Sequence, residues 1–176
     1  MLVIRPIAAE DLPALYSLAA KAGFGLTTLP RDRKILKERI EGSTLSFLKR
    51  ATKPGGEKYL FVLEDQENGK ICGTTGVVSK VGGFEPFYAY EIKNMVYQSK
   101  KLGVRNEIKV LNLVEEHNGP SEIGTLFLSA PYRGGGNGKL LSRSRFMFMA
   151  DHLGLFEKKV IAELRGVIDR RGRSPF

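Results

Sequence analysis

The chain has 176 residues, of which 42% are hydrophobic and 27% are charged, a composition typical of one compact domain and not of disordered or fibrous proteins. Its 28 basic residues outnumber its 19 acidic ones and give a formal net charge of +9, which favours anionic partners such as nucleic acid, anionic lipid or a phosphorylated cofactor. One cysteine, Cys72, excludes an internal disulfide, and two histidines are too few for a Cys/His zinc cluster. No run approaches the ~20 apolar residues of a membrane span. We therefore expect one cytoplasmic domain over residues 1–176, without a metal.

The N-terminal part of the chain predicts one strand and two helices. Residues 2–5 alternate like a short strand. Glu10 and Asp11 begin a helical pattern that Gly23 and Gly25 end. A second helix follows, and its apolar positions are Ile35, Leu36, Ile40, Leu45 and Leu48.

The middle of the chain predicts antiparallel strands. Residues 59–64 and 71–78 flank the turn sequence QENGK and are typical of a hairpin. Two further strands are expected at residues 88–97 and 108–115, after a break at Gly82-Gly83.

The C-terminal part predicts a strand, a turn, a helix and a final strand. Residues 121–129 (SEIGTLFLS) form the expected central strand, and residues 131–137 form the turn. The helix is expected over residues 139–152 and the last strand over residues 159–164.

The turn contains the most informative sequence in the chain, YRGGGNGK at residues 132–139. Glycines allow the backbone to approach an anion closely, and the following helix directs its positive end at the same point. Arg133 and Lys139 can add charge-assisted hydrogen bonds. The turn therefore predicts a phosphate-binding site.

Two well-known glycine-rich motifs do not fit this turn. A Walker loop has Ser or Thr after Gly-Lys, but Leu140 follows Gly138-Lys139 here. The dinucleotide motif G-x-G-x-x-G does not fit the spacing either. The remaining pattern is Arg-x-x-Gly-x-Gly, formed by Arg133, Gly136 and Gly138, which in isolation is more often an ordinary loop.

This pattern, placed between a strand and a helix, resembles the N-acetyltransferase superfamily called GNAT. The predicted order of elements resembles it too, which implies an α+β fold with a mixed, mostly antiparallel central sheet flanked by helices, here C-terminally truncated. In that superfamily the central strand pairs with the pantetheine amides and the turn binds the pyrophosphate of acyl-coenzyme A. The residues that the resemblance assigns to this cofactor are Leu126, Phe127, Leu128, Arg133, Gly134, Gly135, Gly136, Asn137, Gly138 and Lys139.

Longer motifs resemble the bacterial arginine N-succinyltransferase family over almost the whole chain. They are GLTTLP (25–30), YLFVLED (59–65), EPFYAY (85–90), the segment 121–152 and the segment 159–176. The family transfers succinyl from succinyl-CoA to the α-amino group of arginine; some members use ornithine and act as paired α and β subunits. The resemblance implies succinyl-CoA and arginine or ornithine as partners, neither nucleic acid nor membrane, and a homo- or hetero-oligomer.

Two departures from the family pattern affect the site. Residues 88–99 read YAYEIKNMVYQS where the family often has YNYRVGTLVHAS, so the acceptor amine stays open. The family continues beyond Arg-Ser-Pro-Phe into a half that contains its proton-donor histidine, whereas this chain ends at Phe176. Ser174-Pro175 is typical of a helix start. We therefore expect an N-terminal part of a longer protein, inactive by itself, whose catalytic residues are unassigned.

The remaining predictions concern individual side chains. Cys72 and the FMFMA stripe at residues 146–150 are expected to be core residues, and His117 and His152 surface residues. Glu122 is expected at a solvated strand end, with contact to an amine as the alternative. Two arginines, Arg143 and Arg145, are equally compatible with cofactor phosphates and with solvent.

The sequence leaves two other functions open. A GNAT protein with another amine acceptor has the same motifs. A basic nucleic-acid-binding domain would explain the charge, although no aromatic-rich basic strand of the RNA-binding type is evident.

Overall fold

A computed structural model describes residues 1–23, 25–166, 168, 169 and 173. The strands and helices follow in the order β1 (Leu2–Pro6), α1 (Leu12–Ala22), α2 (Arg33–Leu48), β2 (Lys58–Asp65), β3 (Lys70–Val78), β4 (Phe87–Ser99), β5 (Val104–Glu116), β6 (Ser121–Leu128), α3 (Asn137–Asp151) and β7 (Val160–Ile161). Short 3-10 turns occupy Ala9–Asp11, Ala130–Tyr132 and Leu153–Leu155. The α+β class predicted from the sequence is confirmed. None of the helices described here is long and apolar enough to span a membrane.

The central sheet has five strands in the order β1-β2-β3-β6-β7. Every neighbouring pair is antiparallel except β6 and β7, which are parallel. Leu60 and Val62 of β2 pack with buried residues of α1 and α2. Tyr59 and Phe61, which alternate with them, pack with Met149 of α3 instead. Because side chains alternate along a strand, α1 and α2 cover one face of the sheet and α3 covers the other.

The buried face of α2 differs from the sequence prediction. Leu36 and Ile40 are buried as expected, but Leu45 and Leu48 are 67% and 74% exposed. Ser43 and Ser46 are buried in their place. Their hydroxyls accept hydrogen bonds from the amides of Leu60 and Lys58 at 2.8 and 3.0 Å. The serines are buried because their hydroxyls satisfy the hydrogen-bonding requirement of strand amides. A pattern of apolar residues gives no sign of that requirement.

Strands β4 and β5 extend slightly beyond the predicted residues 88–97 and 108–115 and form a hairpin of their own. Within the described residues they pair only with each other, from Phe87 opposite Glu116 to Ser99 opposite Val104. Apolar side chains are exposed along the hairpin, among them Tyr90, Ile92, Leu111 and Leu113. The hairpin therefore projects from the central sheet and adds no strand to it.

The last strand is much shorter than the predicted residues 159–164. It pairs with β6 only from Ser121 opposite Val160 to Glu122 opposite Ile161. Ser121, which is fully buried, fixes this junction: its hydroxyl donates to the Ser79 carbonyl at 2.6 Å and accepts from the Glu157 amide at 2.8 Å. Beyond Ile161 the chain diverges from β6, so the prediction of a six-residue strand is wrong and a cleft opens instead. The predicted helix start at residues 174–175 lies outside the described residues.

Candidate functional site

The glycine-rich turn has a backbone that only glycines adopt readily. Gly134, Gly135 and Gly136 follow one another with φ of 107°, 55° and 85°, and Gly136 is the N-cap residue of α3. Positive φ costs other L-residues roughly 1–2 kcal/mol each. A Cβ atom at any of the three would meet no atom within 4 Å. The conformation therefore explains the glycines without a packing reason and leaves the turn open to a ligand.

The amides of this turn are available to an anion. Asn137 N–H donates to the Gly134 carbonyl at 3.1 Å and Leu140 N–H donates to the Gly136 carbonyl at 2.9 Å. The amides of Gly134, Gly135, Gly136, Gly138 and Lys139 donate to no other group among the described residues. Free amides at the positive end of a helix suit an anion, so the geometry is compatible with the predicted phosphate site, which stays a prediction.

The side chains that flank the turn hold it to the sheet. Arg133 Nε donates to the Leu128 carbonyl at 3.1 Å, so this side chain turns back toward the end of β6 and remains exposed. Asn137 donates to the Tyr132 carbonyl at 3.0 Å, and Tyr132 in turn donates to Asp65 at 3.0 Å. Lys139 is exposed at the start of α3. Both predicted cations thus lie at the turn, on solvent-accessible positions.

Strand β6 leads into the turn and carries an irregularity that the sequence did not reveal. Its register with β3 shifts between Thr74 and Gly76. At the same place Thr125 has φ of 53°, the one non-glycine residue with positive φ among those described. A β-branched residue in this conformation is strained, and such strain is concentrated at functional sites. The bulge lies directly before Leu126, Phe127 and Leu128, the predicted pantetheine-binding residues.

A cleft of about 870 Å³ opens where β7 diverges from β6. One wall is β6 from Glu122 to Leu126, and the other is the segment 162–165. The loop after α1 and the Arg145 side chain complete the lining. Because β7 pairs only with the first two residues of β6, the outer backbone edge of β6 along the cleft has no strand partner among the described residues. This edge and the glycine-rich turn are continuous in the chain, so one extended ligand can contact both.

A second, smaller cavity of about 220 Å³ lies between β6, the middle of the sheet and helices α1 and α2. Its lining includes Arg39, Lys58, Thr28 and Glu122. Thr28, Glu122, Gly124 and Thr125 line both the cavity and the cleft. The two spaces therefore meet at the bulge of β6.

Glu122 lies at this meeting point and is half-buried, in contrast to the solvated strand end expected from the sequence. Burial raises the pKa of its carboxyl, the nearby Glu163 raises the pKa further, and Lys58 opposes both. A carboxylate with a raised pKa is a better proton acceptor near neutral pH than an ordinary one. The alternative role, contact with an amine, is thus compatible with its position.

The other candidate residues take structural roles. Arg145 is buried, and it donates to the Ser142 carbonyl and hydroxyl at 3.0 and 2.8 Å. It is therefore not a solvated side chain, and because it also lines the cleft, contact with cofactor phosphates stays a prediction. Arg143 is exposed on α3. In the FMFMA stripe, Met149 is buried but Met147 is 67% exposed, so only part of the stripe is core.

The histidines and the cysteine behave as surface and core residues. His152 stacks on Phe148 at the end of α3, with ring centroids 4.5 Å apart. His117 forms an exposed pair with Glu115 at 3.0 Å. Cys72 is buried, and burial raises the pKa of its thiol to about 11, which leaves it unreactive. Among the described residues, no cluster of three or more metal-ligating side chains is present.

Comparison with solved structures shows the class of protein to which this fold belongs. The chain superimposes on glucosamine-6-phosphate N-acetyltransferase from Arabidopsis thaliana with a TM-score of 0.52 at 16% identity, over 94% of this chain and 83% of that one. It superimposes on subunit AI of arginine/ornithine succinyltransferase from Pseudomonas aeruginosa with a TM-score of 0.88 at 37% identity, over 100% of this chain and 53% of that one. The fold is therefore that of the GNAT N-acyltransferases.

Sequence comparison gives the family within that class. The family described as arginine N-succinyltransferase beta subunit matches residues 2–176. Arginine N-succinyltransferase from Citrobacter koseri is 46% identical over 177 residues, which cover 100% of this chain and 51% of that protein. The chain belongs to the arginine N-succinyltransferase family. It spans about half the length of the curated relatives that it matches.

Proposed function

We propose that this chain binds succinyl-CoA and takes part in transfer of the succinyl group to the α-amino group of arginine. Membership of the family supports the reaction. The observation that carries the proposal is the combination of free amides at the glycine-rich turn with the unpaired edge of β6. In the relatives the activity belongs to proteins of about twice this length, so we assign the complete reaction to the full-length protein, of which this chain would be the N-terminal part.

The donor would lie along the strand and the turn. The amides of Gly134, Gly135, Gly136, Gly138 and Lys139 suit a pyrophosphate, because they combine unpaired N–H groups with the positive end of α3. Arg133 and Lys139 add positive charge at either side of the turn. The free edge of β6 at Leu126, Phe127 and Leu128 can form strand-like hydrogen bonds with the amides of the pantetheine arm. The pyrophosphate and the pantetheine arm of succinyl-CoA therefore each have a suitable contact.

The acceptor would enter at the bulge of β6. Acyl transfer joins the amine nitrogen to the succinyl carbonyl carbon, breaks the carbon–sulfur bond of the thioester, and moves one proton from the amine to the departing thiolate. We propose that Glu122 binds or deprotonates the amine, since its pKa is raised and it faces the meeting point of cleft and cavity. Backbone amides near Thr125 would polarise the carbonyl oxygen.

The proposal extends to partners and location. The Pseudomonas aeruginosa relative is described as a subunit of an arginine/ornithine succinyltransferase, which supports a homo- or hetero-oligomer and leaves ornithine as an alternative acceptor. A cytoplasmic location is part of the same proposal, because a coenzyme A thioester has to be supplied where the enzyme acts.

The test is a thiol-release assay on the full-length protein with succinyl-CoA as donor and arginine, ornithine or lysine as acceptor. We expect release with arginine or ornithine and little with lysine. The variant Glu122→Gln keeps the shape of the side chain, and we expect it to lower kcat by about tenfold or more, because one acid-base group typically contributes 10²–10⁴-fold. No release with any acceptor, or equal release with all three, would contradict the proposed acceptor.

A further inference from the structure

The small cavity beside β6 contains a cation, Arg39, that forms no ion pair among the described residues, although the Glu122 carboxyl lines the same cavity. Arg39 of α2 lines this cavity, and its guanidinium donates a hydrogen bond to the Thr28 carbonyl. Burial lowers the pKa of Arg39, and no charged group contributes to that shift. An arginine remains protonated in proteins, so its charge persists in the cavity. A partly buried charge that has one carbonyl partner and no ion pair is costly, and an anionic group of a ligand would offset that cost.

Two further groups around the cavity suit the same anion. The hydroxyl oxygen of Thr28 is buried and has no hydrogen-bond partner. Lys58, at the start of β2, also lines the cavity and forms no ion pair among the described residues. A buried hydroxyl without a partner costs free energy unless a ligand or water satisfies it. Arginine, lysine and a hydroxyl together are typical donors to a carboxylate.

We infer that Arg39, Lys58 and Thr28 form a subsite for the carboxylate of a substrate. The inference rests on the proposed function and deepens it, because both proposed substrates carry a carboxylate. One is the free end of the succinyl group; the other is the α-carboxylate of the acceptor amino acid. In either case the same cavity would distinguish a carboxylate-bearing substrate from its neutral analogue.

The position of the cavity allows the carboxylate to reach it from the reacting centre. Gly76 of β3 and Gly124 of β6 are paired across the sheet and place no side chain in this space. A Cβ atom at Gly124 would lie 3.8 Å from Glu122 Oε1 and 3.9 Å from Thr28 Cγ2. The passage from cleft to cavity therefore runs over the glycine pair, beside Glu122. A ligand that carries both an amine and a carboxylate matches Glu122 on one side and Arg39 on the other.

The donor arm of the test compares succinyl-CoA with butyryl-CoA, which has the same chain length and a methyl group in place of the carboxylate. Both are titrated by calorimetry into this chain and into Arg39→Gln and Lys58→Gln. Charge-assisted hydrogen bonds predict a preference for succinyl-CoA of about 10- to 100-fold. We expect both variants to lose most of that preference while affinity for butyryl-CoA is unchanged.

The acceptor arm compares arginine with agmatine, the same molecule without its α-carboxylate. This arm does not need coenzyme A, so it remains informative if the proposed donor site fails. If the subsite binds the acceptor, arginine is preferred by about 10- to 100-fold and the same two variants lose the preference. Lys34→Gln is the matched control, because it removes one positive charge from an exposed position of α2 outside the cavity.

The outcomes separate the possibilities. Loss of preference in the donor arm assigns the subsite to the succinyl carboxylate, and loss in the acceptor arm assigns it to the amino acid. No carboxylate preference in either arm, or a preference that Arg39→Gln and Lys58→Gln both retain, overturns the inference. Lys58→Gln keeps the test valid if Arg39→Gln fails to fold, because the Lys58 side chain is exposed. Absence of any binding of coenzyme A contradicts the proposed function and not the subsite.

Discussion

Glu57, the residue directly before β2, shows how one buried charge stabilises the beginning of that strand. Its side chain is 2% exposed. Lys49 Nζ lies 2.5 Å from one carboxylate oxygen, while the Ser79 hydroxyl and the Gly55 amide donate to the other at 2.8 and 2.9 Å. Burial alone would raise the pKa of Glu57, but these donors outweigh burial and lower the pKa to about 2. The carboxylate is therefore held in its charged form by the fold.

This environment predicts a pH-dependent stability. Because the pKa in the folded chain lies below the ordinary value of 4.5, the contribution of Glu57 is complete above about pH 4.5 and is lost as the pH falls toward 2. We expect Glu57→Gln to lower the free energy of unfolding by about 2 kcal/mol at pH 7, and by much less at pH 2.5. Urea unfolding at both pH values measures the two differences.

Glu41→Gln is the matched control, since Glu41 forms an exposed pair with Lys37 at 3.7 Å and such pairs contribute little. A loss of stability in Glu57→Gln that is the same at pH 7 and pH 2.5 would contradict the role given to the charge.

The site residues that the sequence did not predict are those whose roles depend on tertiary structure. Gly134, Gly135 and Gly136 were predictable because a glycine cluster before a helix is a local signal. Thr125 and Arg39 were not, because their roles depend on a bulge in β6 and on a cavity formed by distant segments. A Thr or an Arg in isolation carries no such signal. The glycine pair Gly76 and Gly124 was visible in the sequence, but its pairing was not.

At the scale of elements, local patterns predicted most helices and strands but not how they assemble. The hairpin of β2 and β3 follows from its two apolar runs and the turn between them. Strands β4 and β5 have equally good strand patterns, yet they leave the central sheet and expose apolar residues. Strand β7 is shorter than its apolar sequence predicts because the chain turns away from β6. Pairing partners are tertiary properties, and a strand pattern does not specify them.

The isolation of the β4–β5 hairpin predicts unequal local stability. A two-stranded sheet without further packing is marginally stable in water, whereas β2 and β3 lie in the middle of the five-stranded sheet. We expect the amides of β4 and β5 to exchange with solvent through openings of lower free energy than those of β2 and β3. Native-state hydrogen exchange of this chain measures both. Protection of β4 and β5 equal to that of β3 would contradict the independence of the hairpin.

At the scale of the whole molecule, the fold brings three features together beside β6. The glycine-rich turn supplies free amides, the divergence of β7 opens a cleft, and the bulge at Thr125 joins that cleft to the small cavity. The sequence motifs predicted the turn and the family, but the cleft exists because β6 and β7 pair over only two residues. The excess positive charge of the chain is consistent with a polyanionic ligand such as coenzyme A.

Calorimetric titration of coenzyme A into this chain tests the central claim most directly. Gly136→Leu places a side chain over the free amides and strains a residue with φ of 85°, so we expect its affinity to fall by about tenfold or more. Gly69→Leu is the matched control, since Gly69 also has positive φ, at 66°, in open space, but lies in the β2–β3 turn. We expect saturable binding by the unmodified chain and by Gly69→Leu, and weak binding by Gly136→Leu. Equal affinity of all three proteins, or no binding by the unmodified chain, would contradict the central claim.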